Sequence, residues 1–142
     1  GISTEEALRA RSALLKAGLS IRHLHLHTIK PFNATALLDH INAVRYGVIT
    51  LENHVTEGGI GSLVAETIAD AGVGKRLIRL GLKDTFAHGG SRPYLMRYYG
   101  LDALALVRGI EQLLGQDFGI LEEDLDQARV EAVHSLVKAE GL

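Results

Sequence analysis

The sequence contains no cysteine, which excludes a disulfide framework, a thiolate metal site and a cysteine nucleophile. No apolar run approaches the roughly 20 residues that a membrane-spanning helix requires. The amino-terminus also lacks the basic-then-apolar layout of a signal peptide. Charge of one sign is not in excess: 15 Lys and Arg stand against 17 Asp and Glu, for a net charge of -2, with both signs spread along the chain. Neither a nucleic-acid nor a membrane partner is expected from this pattern, and a cytoplasmic setting is compatible with it. Internal repeats and low-complexity stretches are missing. So is an initiating methionine: Gly1-Ile2-Ser3-Thr4 leads almost directly into a helical pattern, as expected of a fragment or a processed piece.

What is present is enough for a single domain, because 142 residues of which 46% are hydrophobic can bury a core without staples. Thr4, Glu5 and Glu6 suit the positive end of a helix, and Ala7, Leu8, Ala13, Leu14 and Leu15 keep helical spacing up to Gly18. The spacing predicts a helix over 4–17. Residues 20–28 alternate apolar and polar, with Ile21, Leu24 and Leu26 among polar neighbours and Pro31 beyond, and predict a strand. A second helix is predicted over 34–46, ending at Gly47.

The β-branched run 47–51 predicts a strand buried on both faces. A glycine-rich loop, 57–61, opens a helix over 62–71, and a further strand is predicted over 76–80. Residues 84–92 read as a polar loop, and helices are predicted over 95–99, 101–114 and 122–138, with 115–119 as a loose connection to the last. Alternating strands and helices in the first half predict an α/β domain, a three-layer αβα Rossmann-like arrangement around a mostly parallel sheet. Residues 115–142 would add a helical extension to that domain.

Three stretches in order carry a resemblance. They are His25-Leu26-His27-Thr28-Ile29-Lys30-Pro31, then the strand and loop Val48 to Ser62 (VITLENHVTEGGIGS), then Leu82 to Ser91 (LKDTFAHGGS) with Tyr99-Gly100-Leu101 following. Together they resemble the C-terminal domain shared by transketolases, deoxyxylulose-phosphate synthase and the β subunits of 2-oxoacid dehydrogenases. The match covers residues 1 to about 114, and its motifs fit the plain transketolase form best. Asn53 stands where many members carry a second glutamate. Members of the family also have a short strand and a central strand before the first helix. The resemblance therefore implies a five-stranded sheet to which this chain brings three strands, with the family's first strands lacking and a gap at the centre.

The resemblance further implies an accessory, dimerising domain of an enzyme of pentose phosphate metabolism that moves two-carbon ketol units between sugar phosphates. Its partners would be the amino-terminal and middle domains, or a separate subunit, that bind thiamin diphosphate and Mg²⁺, and the assembly would be a homo-oligomer. In this family the diphosphate is held through Mg²⁺ at a Gly-Asp-Gly motif, which does not occur here. No cofactor or metal is therefore expected in this chain, and the chain alone is expected to be inactive. The same domain of a 2-oxoacid dehydrogenase β subunit or a deoxyxylulose-phosphate synthase is the alternative within the family. A stand-alone Rossmann-like binding module and a hydrolase are the alternatives outside it.

Each candidate site has two readings. Glu52 and His54 lie at the carboxyl end of a predicted parallel strand, where ligands bind in such sheets, and are the candidate catalytic pair; interfacial hydrogen bonding explains the same polarity. Glu57, Gly58, Gly59, Gly61 and Ser62 could cradle a phosphate. Their spacing is not G-x-G-x-x-G and Glu57 is negative, which favours a tight turn at a subunit or domain contact. His23, His25 and His27 share one strand face and could supply two zinc ligands, but no fourth ligand is evident, so an exposed or interfacial face is favoured. Asp84, His88 and Ser91, with Arg92, offer the residue types of a hydrolase triad in one loop. An interdomain loop in which Asp84, Phe86 and Ser91 make contacts is favoured over that reading.

Overall fold

The computed structural model describes residues 1–126 of the chain. Its elements run in the order α1 (Ile2–Lys16), α2 (Ala34–Asn42), β1 (Val48–Val55), α3 (Ile60–Asp70), β2 (Leu77–Leu82), α4 (Arg92–Tyr98) and α5 (Ala103–Leu114). Each boundary has a local cause. Gly18 takes a left-handed φ of 87° just beyond α1, the conformation that lets a glycine close a helix. Asn33 caps α2 by accepting from the Ala36 N–H at 2.9 Å, and Asp102 caps α5 by accepting from Ala105 N–H at 2.9 Å. Gly115 ends α5 with φ 66°.

β1 and β2 are parallel and pair from Val48↔Leu77 to Leu51↔Leu80, after which the register shifts before Val55↔Leu82. Two helical layers cover this ribbon. On one side α1 and α5 bury Ala10, Leu14, Leu106, Val107 and Ile110, with Ile49, Leu51 and Leu80 packed against them. On the other side α2 and α3 bury Leu37, Ile41, Val64 and Ile68, with Val48 and Leu77 against them. The result is the expected αβα layering with few strands.

The strand expected over 20–28 does not form. Residues 19–29 are extended in pattern but carry no ladder, and among the described residues the sheet has two strands, β1 and β2. A strand is defined by its neighbour, and this segment has none to pair with. Its alternation still serves packing: Ile21 joins the α1/α5 core and Leu26 the α2/α3 core. Helix α2 also ends at Asn42, four residues before the expected 46, and α3 starts two residues earlier than expected.

The connection 115–119 is tied rather than loose. Phe118 N–H donates to Glu111 at 3.0 Å, Arg108 reaches the Ile120 carbonyl at 3.4 Å, and Ile120 and Leu125 are buried in the α1/α5 core. Residues 122–126 are helical; the remainder of the helix expected over 122–138 lies outside the described residues.

Leu14 is fully buried between α1 and α5. Truncation there removes buried methyl groups and leaves a cavity that the two helices only partly close. Leu14→Ala is expected to lower unfolding free energy by about 2–5 kcal/mol, measured as a fall in the urea midpoint at unchanged m-value; a loss under 0.5 kcal/mol would mean that this layer is loosely packed.

Candidate functional site

The carboxyl end of the parallel ribbon is where such a sheet places its chemistry, and it is occupied by the loop 56–61 and by Glu52. Helix α3 begins at Gly59 with no side-chain cap of its own, which leaves the first N–H groups without partners. Glu52, reaching over from β1, supplies them. Its Oε2 accepts from Ile60 N–H at 2.7 Å and its Oε1 from Gly61 N–H at 2.8 Å, and the residue is only 5% exposed.

The glycines follow from this contact. A Cβ on Gly61 would stand 2.8 Å from Glu52 Oε1 and 3.0 Å from Thr50 Oγ1, and one on Gly59 would collide with Glu52 Oε2. The register shift after Leu51 coincides with this point, and such irregularities re-aim side chains at strand ends.

The turn ahead of α3 is closed by Ser62. Its Oγ donates to the Thr56 carbonyl at 2.8 Å and accepts from Gly58 N–H at 3.0 Å, while Gly58 takes φ 73°. Arg79 of β2 donates to the same carbonyl at 3.2 Å. Glu57 is solvent-exposed, and the Thr56 hydroxyl that donates to it at 2.9 Å holds its carboxyl below the usual range. His54 is exposed, with Nδ1–H donating to the Val55 carbonyl at 2.9 Å. Glu52 and His54 thus differ in kind: one is spent on the helix, the other is open to whatever covers the edge.

The second loop does not assemble a triad. His88 Nδ1 lies 3.0 Å from Tyr99 Oη, and its ring is packed by Tyr94, Tyr98 and Tyr99 with centroids 4.9–5.8 Å away. No hydrogen bond joins Asp84, His88 and Ser91 among the described residues, and Ser91 starts α4 without a side-chain cap bond. Phe86 is fully exposed, and Tyr94 and Tyr98 are at least half exposed. The loop therefore places exposed aromatics around His88 instead of a triad.

The histidine row is similarly dispersed. His25 and His27 stack with centroids 6.2 Å apart, and His25 Nδ1 pairs with Thr4 Oγ1 at 3.0 Å. No group of three or more His, Asp or Glu among the described residues is arranged for a metal. The residues also do not fit a diphosphate held through Mg²⁺. The start of α3, at the sheet's carboxyl end, carries a carboxylate that would repel the anion, and among the described residues no group of His, Asp or Glu is arranged to hold the metal.

One carboxylate was misread in the sequence. Glu6 appears there as a first-turn acid of α1, but it is buried and its Oε2 accepts from Ala103 N–H, 97 positions along the chain, at 2.8 Å. Arg9 donates to the same oxygen at 2.8 Å. Glu6 therefore caps α5, and only its low place in an otherwise apolar face of α1 hinted at burial.

Residues 1–106 match the family described as Transketolase, C-terminal domain. The chain belongs to this family. It is 37% identical over 110 residues to a transketolase C-terminal section from Methanocaldococcus jannaschii, covering 78% of this chain and 34% of that protein. To a 1-deoxy-D-xylulose-5-phosphate synthase from Syntrophotalea carbinolica it is 36% identical over 120 residues, covering 84% and 19%. To the transketolase of Mus musculus it is 34% identical over 115 residues, covering 80% and 18%. A solved split-gene transketolase, described as an inactive beta4 tetramer, superposes with a TM-score of 0.72 at 31% identity over 81% of this chain and 37% of that one. The chain thus spans between about a sixth and somewhat over a third of the lengths of these relatives. No helix among the described residues is long and apolar enough to cross a membrane.

Within this transketolase-type domain two tests follow. Glu52→Gln keeps the shape but replaces one acceptor oxygen with a donor facing an N–H, so it is expected to cost about 1–3 kcal/mol of stability; urea unfolding that leaves the midpoint unchanged would remove Glu52 from its capping role. The second test concerns His23, whose pKa is lowered by partial burial first, then by His25 and Arg11. The folded state then favours neutral His23, so stability is full above the unfolded value near 6.5 and falls as pH drops through and below it. Thermal melts between pH 7.5 and 5 are expected to show that fall, and His23→Gln to flatten it; parallel curves would exclude this linkage.

Proposed function

We propose that this domain is the C-terminal accessory part of a transketolase-type enzyme that moves two-carbon ketol units between sugar phosphates, with thiamin diphosphate and Mg²⁺ held by partner domains or a partner subunit. The carrying observation is the closure of the α3 start by Glu52. In an open αβα domain this helix start is the natural anion seat, and filling it with a buried carboxylate gives that place to structure instead of ligand. The chain's own contribution is then a rigid packing block.

The contact surface in this reading is the same edge. Glu57, Gly58 and Ser62 form a turn locked by internal hydrogen bonds, with His54 exposed beside it. The second loop presents Phe86, Asp84 and Ser91 next to the His88–tyrosine cluster. A preformed turn and exposed aromatics are suited to docking because little side-chain freedom is lost when they are covered. His54 and Glu57, both exposed at this edge, are open to a partner's cleft. The split-gene relative, a longer chain, is described as an inactive beta4 tetramer; a homo-oligomeric assembly in the cytoplasm completes the reading.

Calorimetric titration of the purified chain with thiamin diphosphate and Mg²⁺ is the direct test. Heat no greater than dilution, together with ketol transfer appearing only after the cofactor-binding partner is added, is the expected outcome. Stoichiometric cofactor binding by the chain alone would overturn the assignment of the cofactor site to a partner.

A further inference from the structure

The extended segment 19–29 carries a face on which imidazoles repeat. Residues two apart on such a segment point to the same side, and His23, His25 and His27 form a row of this kind. The row as a whole is not gathered for a metal, but its last two members are paired. His25 and His27 are both exposed, and their rings stand 6.2 Å apart between centroids and only 8° from parallel. That separation nearly equals the roughly 6.6 Å between alternate residues of an extended chain, so the two rings leave the backbone side by side. His23 is half-buried instead; its pKa is lowered by that burial first and by His25 next.

Two imidazoles so placed are a chelating pair. Nitrogens about 2.0–2.1 Å from one tetrahedral ion bring their ring centres to roughly 5 Å. Rotation of two exposed side chains about χ2, which is broad for histidine, closes the observed gap. His25 is already oriented, because its Nδ1 lies 3.0 Å from Thr4 Oγ1. Ligation through Nε2 selects the tautomer whose Nδ1–H donates to that hydroxyl, the outer hydrogen bond that ligating histidines ordinarily make. His40 differs: its Nδ1 lies 3.1 Å from the Arg22 guanidinium, and a fixed positive charge there repels a metal ion.

The donor type selects the ion. Imidazole nitrogen suits borderline cations such as Zn²⁺, Ni²⁺ and Cu²⁺, whereas Mg²⁺ takes oxygen. A closed site of three or four protein ligands is excluded among the described residues, so the pair is an open site whose remaining positions fall to solvent. Among the described residues the segment that carries it has no ladder. An ion held by positions 25 and 27 adds a cross-link where backbone pairing supplies none.

We propose that His25 and His27 form a surface site for a borderline divalent cation of the Zn²⁺ class, with Thr4 orienting His25 and solvent completing the coordination. The site is separate from the Mg²⁺ that the proposed cofactor requires and does not depend on the reaction assigned to the parent enzyme.

The test titrates Zn²⁺ into the 142-residue chain by calorimetry, follows the histidine ring resonances by NMR and measures mass in solution. One ion per monomer is expected, with the His25 and His27 rings shifting at the same midpoint. His25→Gln and His27→Gln are each expected to lose at least about tenfold in affinity, and His23→Gln and His40→Gln less than about threefold. A roughly hundredfold excess of Mg²⁺ is expected to leave the bound ion in place. Thr4→Val is expected to weaken binding and Thr4→Ser to restore it; equal affinities for the two would overturn the role given to Thr4. The site itself is overturned if no saturable binding occurs up to about 1 mM Zn²⁺, if only one of the two rings shifts, or if His25→Gln or His27→Gln binds as the unaltered chain does. It is equally overturned if His23→Gln loses as much as they do, if Mg²⁺ displaces the ion, or if one ion is taken up per two chains with doubled mass.

Discussion

The contact between the Glu52 carboxylate and the first N–H groups of α3 is the constraint around which the rest of the carboxyl edge is arranged. A helix start carries roughly half a positive charge and unpaired donors, and α3 has no cap of its own. Placing the carboxylate there brings β1 and α3 so close that positions 59 and 61 cannot carry a side chain. On the far side, a Cβ on Gly81 of β2 would come within 2.8 Å of the Thr56 methyl and 2.9 Å of the His54 carbonyl. Glycine is thus required at the helix start by the buried acid and on the neighbouring strand by the approach of residues 54 and 56.

The second helical layer repeats the device. Glu6 of α1 satisfies the start of α5, and Arg9 offsets its charge while reaching the Leu125 carbonyl at 3.3 Å and Asp126 at 3.2 Å. Two helices are thus started by carboxylates from other elements, one 8 residues away and one 97. Such buried acids are committed to the helix starts, and what the surface shows is a locked turn, the exposed His54 and the aromatic cluster around His88.

Legibility followed how local each signal was. The β-branched run beginning at Val48 identified β1 because its apolar character needs nothing beyond its own composition, and Gly18 placed the end of α1 within a residue or two, whereas Gly47 lies past the end of α2 at Asn42. The segment 20–28 has equally clear alternation, yet strand character needs a paired neighbour and among the described residues none pairs with it. Glu52 read as a catalytic candidate because a charged residue at a strand end has that meaning on average. Its use as a cap depends on the start of α3, reached only through the turn at 56–59.

By itself the sequence determined the layered α/β class, the order of most elements and the family to which the motifs at Val48–Ser62 belong, because periodicity, glycine stops and motif spacing are properties of neighbouring residues. Only the tertiary structure decided which carboxylates close helices, which loop residues stay open, and where the sheet ends. Those outcomes rest on pairing and burial between distant segments: a hydrogen bond from Ala103 to Glu6, or the absence of a ladder beside Leu24, is fixed by what the folded chain brings into contact.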